Sequence, residues 1–124
     1  MKFICLVHVD PRRMAGMTDA DLKALDAENL VEDQRLLDSG HLIAAGPLAE
    51  PETATLVRAV DGKVSMTDGP YVETKEHLGG FILIEAESRE EAVALLGTSA
   101  MARYGTLEIR EHWSLEDYIA REKV

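Results

Sequence analysis

The sequence predicts an α+β domain in which two helices cover one face of an antiparallel sheet. Three patterns carry that expectation. The chain opens on a branched, apolar run, Lys2 to Val9. Two segments with apolar residues at helical spacing end at Gly40 and Gly97, and each follows a strand-like stretch. Between them lies a turn-rich middle with Asp61-Gly62 at its centre, a dipeptide that favours a tight hairpin.

Taken in order, Lys2 to Val9 reads as a strand with Phe3, Cys5, Val7 and Val9 on one face and Ile4, Leu6 and His8 on the other. Both faces are largely apolar, so both should be covered. Arg12 to Met17 is expected to be a polar, mobile loop. Thr18 or Asp19 caps a helix, with Asp21 placing negative charge in its first turn. Its inner positions run Leu22, Leu25, Asn29, Leu30, Asp33, Leu36 and Leu37, and Gly40 ends it. His41 to Leu48 is a second strand, and Ala54–Val60 with Lys63–Thr67 form the hairpin. Asp68-Gly69-Pro70 is a loop, followed by a strand over Phe81–Ala86 behind the pair Gly79-Gly80. Ser88 caps a second helix, and Glu91 completes a capping box. Ala92, Val93, Leu95 and Leu96 face the sheet, and Leu107–Trp113 and Leu115–Arg121 read as a last strand and a short helix. This order is a ferredoxin-like split βαβ with an inserted β-hairpin. The second sheet face needs a partner, and a two-fold homodimer is the commonest solution.

Composition narrows the function. The 124 residues suit one domain spanning 1–124, large enough to fold without a disulfide or metal staple. Thirteen basic against twenty-three acidic residues leave a net charge of −10, which opposes binding to nucleic acid or an anionic membrane. Met1–Val9 is too short to cross a bilayer, and a cytoplasmic protein is expected. The single cysteine, Cys5, is expected to be a small core side chain. No His pair stands at ligand spacing and no phosphate-binding glycine loop is present, so no metal and no cofactor are expected.

The stretch Thr67-Asp68-Gly69-Pro70-Tyr71-Val72-Glu73-Thr74-Lys75-Glu76, continued by His77-Leu78-Gly79-Gly80-Phe81, carries a resemblance. It resembles the hallmark of the DGPF-domain branch of YCII-related proteins, with Tyr71 where phenylalanine is typical. Ala45-Gly46-Pro47-Leu48, Ala54-Thr55 and Glu108-Ile109-Arg110 fit the same pattern, so the likeness covers nearly the whole chain. The resemblance implies a dimeric α+β barrel, in which two sheets pack face to face. It assigns no activity. Related enzymes use a His-Asp pair that would fall on Asn29 and Asp38; asparagine exchanges no protons, so that dyad is not carried over. The branch is also associated with extracytoplasmic-function sigma factors, and no sigma-like segment is present.

Within the hallmark, Asp68, Glu73 and Lys75 crowd charge beside a buried strand. Glu73 is a candidate acid/base or anion, Lys75 an anion binder, and Asp68 a residue that orients them. Equally, Asp68 could cap the loop while Glu73 and Lys75 form a shape-fixing ion pair, or Lys75 could be a solvated surface charge. His8 is the remaining catalytic candidate, because histidine ordinarily titrates near neutrality; as a lone histidine on an apolar face it could also be a hydrogen-bonded core residue. Two functions stay open. One is a small-molecule site capable of proton transfer; the other is a non-enzymatic regulatory or interaction module.

Overall fold

The computed structural model describes residues 1–71 and 75–122. Strand β1 (Lys2–Val9) runs through the middle of a four-stranded sheet. On one side it pairs with β5 (His77–Glu85), which in turn pairs with β2 (Leu42–Pro47). On the other side lies β6 (Gly105–His112), and every pairing is antiparallel. The order β2-β5-β1-β6 is the split βαβ arrangement. Strands β3 (Thr55–Val60) and β4 (Lys63–Asp68) form a separate hairpin, turned at Asp61 and Gly62 with φ of 51° and 77°.

One sheet face is packed. Phe3, Cys5, Val7 and Val9 point into a core closed by Ile84 of β5, by Leu36 of helix α2 (Asp19–Asp38), and by Ala92 and Leu96 of helix α3 (Arg89–Leu96). Burial pushes the Cys5 thiol up to about 11, so it stays protonated and inert. The opposite face, carrying Ile4, Leu6 and His8, is only half-buried.

Helix α2 begins with a capping box: Thr18 accepts from the Asp21 N–H, and Asp21 accepts from the Thr18 N–H. It ends in a Schellman motif, with the His41 N–H bonded to the Leu36 carbonyl and the Gly40 N–H to that of Leu37. Its apolar stripe is narrower than the sequence predicts. Leu25 and Leu36 are buried, whereas Leu30 and Leu37 are 69% and 56% exposed. Two positions between the leucines are half-buried polar residues, Asn29 and Asp33.

Four further expectations are corrected. Pro11–Met14 is not an irregular loop but a one-turn helix, α1, capped by the Asp10 carboxylate with Pro11 pre-set for helix. Ser88 accepts from the Glu91 N–H, but Glu91 reaches back to the Glu87 N–H, so the capping box is displaced by one residue. Strand β6 starts at Gly105 rather than Leu107. Strand β5 starts at His77, because the glycine pair lies inside it.

That last difference positions the site. Val7 pairs with Gly80 but His8 pairs with Leu78, leaving Gly79 as the extra residue of a bulge. The bulge turns Leu78 onto the same sheet face as His8. A side chain at Gly79 would begin 2.8 Å from Val9 Cγ2, and one at Gly80 would begin 2.9 Å from the Gly46 carbonyl oxygen. Both glycines are therefore required by close approach. After β6, helix α4 (Leu115–Glu122) leaves Leu115 74% exposed, and Arg121 stacks on Trp113 at 4.2 Å.

Candidate functional site

A cleft of about 1190 Å³ opens where β1 ends and β5 and β6 begin, on the half-buried side of the sheet. His8 stands at its edge because strand alternation aims it away from the core. Across the β1–β6 ladder Leu6 lies opposite Glu108 and His8 opposite Thr106, so Glu108 is the diagonal neighbour of His8. The His8 Nε2 lies 2.9 Å from Glu108 Oε1. A carboxylate only accepts, so Nε2–H is the donor, and in the neutral ring Nδ1 carries the lone pair. Nδ1 has no hydrogen-bond partner among the described residues.

A second pair lies at the end of β1. Asp10, 6% exposed, is the buried charged residue among the described ones. Its Oδ1 accepts from the Arg12 N–H at 3.0 Å and from Arg12 Nε at 3.2 Å, and its Oδ2 accepts from Arg12 Nη2 at 3.1 Å. The Arg12 side chain, then its N–H, hold the Asp10 carboxyl below the usual carboxylate range, and Asp10 in turn raises the guanidinium. Both residues line the cleft, and the fork geometry holds Arg12 at its rim. The Thr106 hydroxyl lies 3.0 Å from each Glu76 carboxylate oxygen, fixing the segment just before β5.

The predicted site residues divide. His8 and Lys75 both line the cleft, Lys75 as an exposed side chain with no ion pair among the described residues. Asp68 is the exposed last residue of β4, paired with Thr55, and does not line it; its neighbours Pro70 and Tyr71 do. The Asp68 carboxylate bonds to none of the described residues, while the Gly69 N–H bonds to the Ala54 carbonyl. Glu73 lies outside the described residues.

Sequence reasoning missed Glu108, Asp10 and Arg12. Glu108 is the polar member of the regular alternation Leu107-Glu108-Ile109-Arg110, so the sequence shows its strand face but does not single it out. Asp10 before Pro11 is a helix-cap pair that is readable. The burial of Asp10 is not, because it depends on a backbone bond from the Asp10 N–H to the distant Tyr104 carbonyl. No group of three or more His, Cys, Asp or Glu side chains among the described residues could hold a metal ion.

Residues 1–116 match the model of the YCII-related domain. The chain belongs to the YCII-related family. An uncharacterized protein of Rhizobium meliloti is 32% identical over 79 residues, covering 62% of this chain. The match spans 64% of that protein's own length. Among solved structures, the 5-chloro-2-hydroxyhydroquinone dehydrochlorinase TftG of Burkholderia phenoliruptrix, in complex with 2,5-dihydroxybenzoquinone, is 18% identical. It aligns with a TM-score of 0.50 over 92% of this chain and 94% of its own, and it shares the α+β fold. The two positions of the family dyad lie apart from the cleft. Asn29 donates to Met101 Sδ at 3.4 Å beneath α2, and Asp38 accepts from Gln34 Nε2 at 2.8 Å at the helix end.

Proposed function

We propose that this YCII-related protein binds a small organic molecule in the cleft and moves a proton there through His8. The supporting observation is the 2.9 Å bond from His8 Nε2 to Glu108, both of which line the cleft; it leaves Nδ1 of the neutral ring without a partner among the described residues, as a base whose other nitrogen is held by a carboxylate. Arg12, held by Asp10, and Lys75 supply positive charge for an oxygen that gains electron density as the proton leaves. Leu48, Pro51 and Leu78 supply an apolar wall for the body of the ligand. The fold is shared with a dehydrochlorinase, which supports small-molecule chemistry without specifying the reaction.

In this reading the chain is of the DGPF type and acts in the cytoplasm. It works as a homodimer whose half-buried sheet faces pack on each other as a dimeric α+β barrel.

The test is exchange in deuterated water. Small carbonyl and phenolic compounds that bind the protein are incubated with it and examined for deuterium at their acidic carbons. Exchange is expected with the native protein. It should fall by about 10²- to 10⁴-fold in His8→Gln, the usual contribution of a positioned general base, while binding persists. Exchange that survives His8→Gln would remove the histidine from the mechanism. A non-catalytic binding module is the second reading, favoured by Asn29 in place of the dyad histidine. Binding in the cleft with no exchange of any bound compound would establish it.

A further inference from the structure

The ion pair at the end of β1 bears on what kind of molecule the cleft admits. The backbone at Asp10 is still extended, with φ of −95° and ψ of 108°. Alternation therefore carries the Asp10 side chain to the same side of the sheet as His8, about 6–7 Å further along. Asp10 is buried, yet neither of its carboxylate oxygens is left for a ligand, because both accept from Arg12. The arginine is engaged on one edge only. Its Nε and Nη2 face Asp10, and the outer edge of the planar fork, Nη1 with the second N–H of Nη2, has no partner among the described residues. A buried aspartate thus holds an exposed guanidinium in a fixed orientation at the rim of the cleft. That outer edge matches a carboxylate in shape and charge, with two parallel N–H donors for two oxygens.

The other charges of the lining favour the same kind of ligand. Glu108 is bonded to His8 and Glu76 to Thr106, and Glu50 is an exposed residue whose charge water screens. Lys75 adds a second cation, with no ion pair among the described residues. The chain as a whole carries a charge of −10, which disfavours anions, so selection of one has to come from these local groups.

We propose that the ligand of the cleft is a small organic anion, an apolar body carrying a carboxylate that sits on the outer edge of Arg12 with Lys75 assisting. This rests on the cleft being a small-molecule site and adds the charge of its ligand. Held by the fork, the ligand presents its acidic carbon toward His8 instead of turning freely in a wide cleft, the orientation that proton transfer requires. A carboxylate and an adjacent carbonyl can share the positive side of the cleft, so the same cations serve the oxygen that gains electron density.

The experiment is a titration of the intact protein with benzoate and with benzamide, which has the same shape and no charge. The His8 ring and the amides of Leu78 and Thr106 are followed by NMR. Benzoate is expected to move all three signals, and benzamide to bind at least about tenfold more weakly. Arg12→Gln should bring benzoate down to the affinity of benzamide and leave benzamide unchanged. Arg12→Lys should recover only part of the loss, because an ammonium group cannot form the fork. Arg13 lies 4.0 Å from Asp10 but does not line the cleft, so Arg13→Gln should bind benzoate as the native chain does. Benzamide binding as tightly as benzoate, or benzoate binding undiminished in Arg12→Gln, would overturn the anion and leave the cleft a small-molecule site. If neither compound moves the three signals, the proposal falls together with the cleft reading beneath it.

Discussion

Two aspartates sit on opposite sides of the ordinary carboxylate range, and each position follows from its neighbours. Asp10 is lowered by the hydrogen bonds of Arg12, so its ionised form favours the folded chain. That contribution is present above the unfolded-state pKa and is lost as pH falls through the lower folded value. Asp10→Asn is therefore expected to be less stable than native near neutral pH, with the deficit shrinking in acid. Asp33 is raised by burial, so its charge opposes folding above its folded pKa and not below the unfolded one. Asp33→Asn is expected to be the more stable chain at neutral pH and to match the native chain in acid. Urea unfolding across the acid range checks both signs; two deficits of the same sign would contradict the assignment. Cys5, with its thiol at about 11 and no exposure, is expected to resist a chromogenic disulfide reagent until the chain is unfolded. At this scale the sequence showed residue type and strand face, which sufficed for His8 and Cys5. It did not show that Glu108 would lie diagonal to His8, because register is a property of two strands together.

Elements were the most legible level, since periodicity and caps are local. The capping box of α2 was half visible in Thr18 and Asp21, and Thr18→Ala is expected to cost about 1 kcal/mol in denaturant unfolding. Leu36 is 2% exposed under the same helix, and Leu36→Ala should cost about 2–5 kcal/mol, because its neighbours can only partly collapse. The narrow apolar stripe of α2 was not legible, since period alone cannot distinguish a packed position from an exposed one. Nor was the Gly79 bulge, which exists only against the register of β1. The β3–β4 hairpin leaves Val57, Val64 and Met66 64%, 70% and 72% exposed. A two-stranded sheet is marginal in water, so its amides are expected to exchange faster than those of β1 unless a partner covers it.

For the whole molecule, the order of elements identified the split βαβ plan, and the hallmark stretch pointed to the family now matched over residues 1–116. The site was legible only in part: His8 and Lys75 reach the cleft, Asp68 does not line it, Asp10 enters from the end of β1, and Glu108 enters from β6, distant in sequence. The half-buried sheet face carrying Ile4 and Leu6 underlies the proposed dimer. Light scattering should then give twice the 13.7 kDa chain mass, and a monomer would contradict the barrel. The central claim is that the His8–Glu108 cleft is where a small molecule binds. The most direct measurement is the histidine-ring and amide NMR spectrum of the native protein, recorded against a diverse set of small organic compounds. Binders of the cleft are expected to move the His8 ring nitrogens together with the amides of Leu78 and Thr106. Compounds that bind yet leave all three unmoved, or a set in which none moves them, would contradict it.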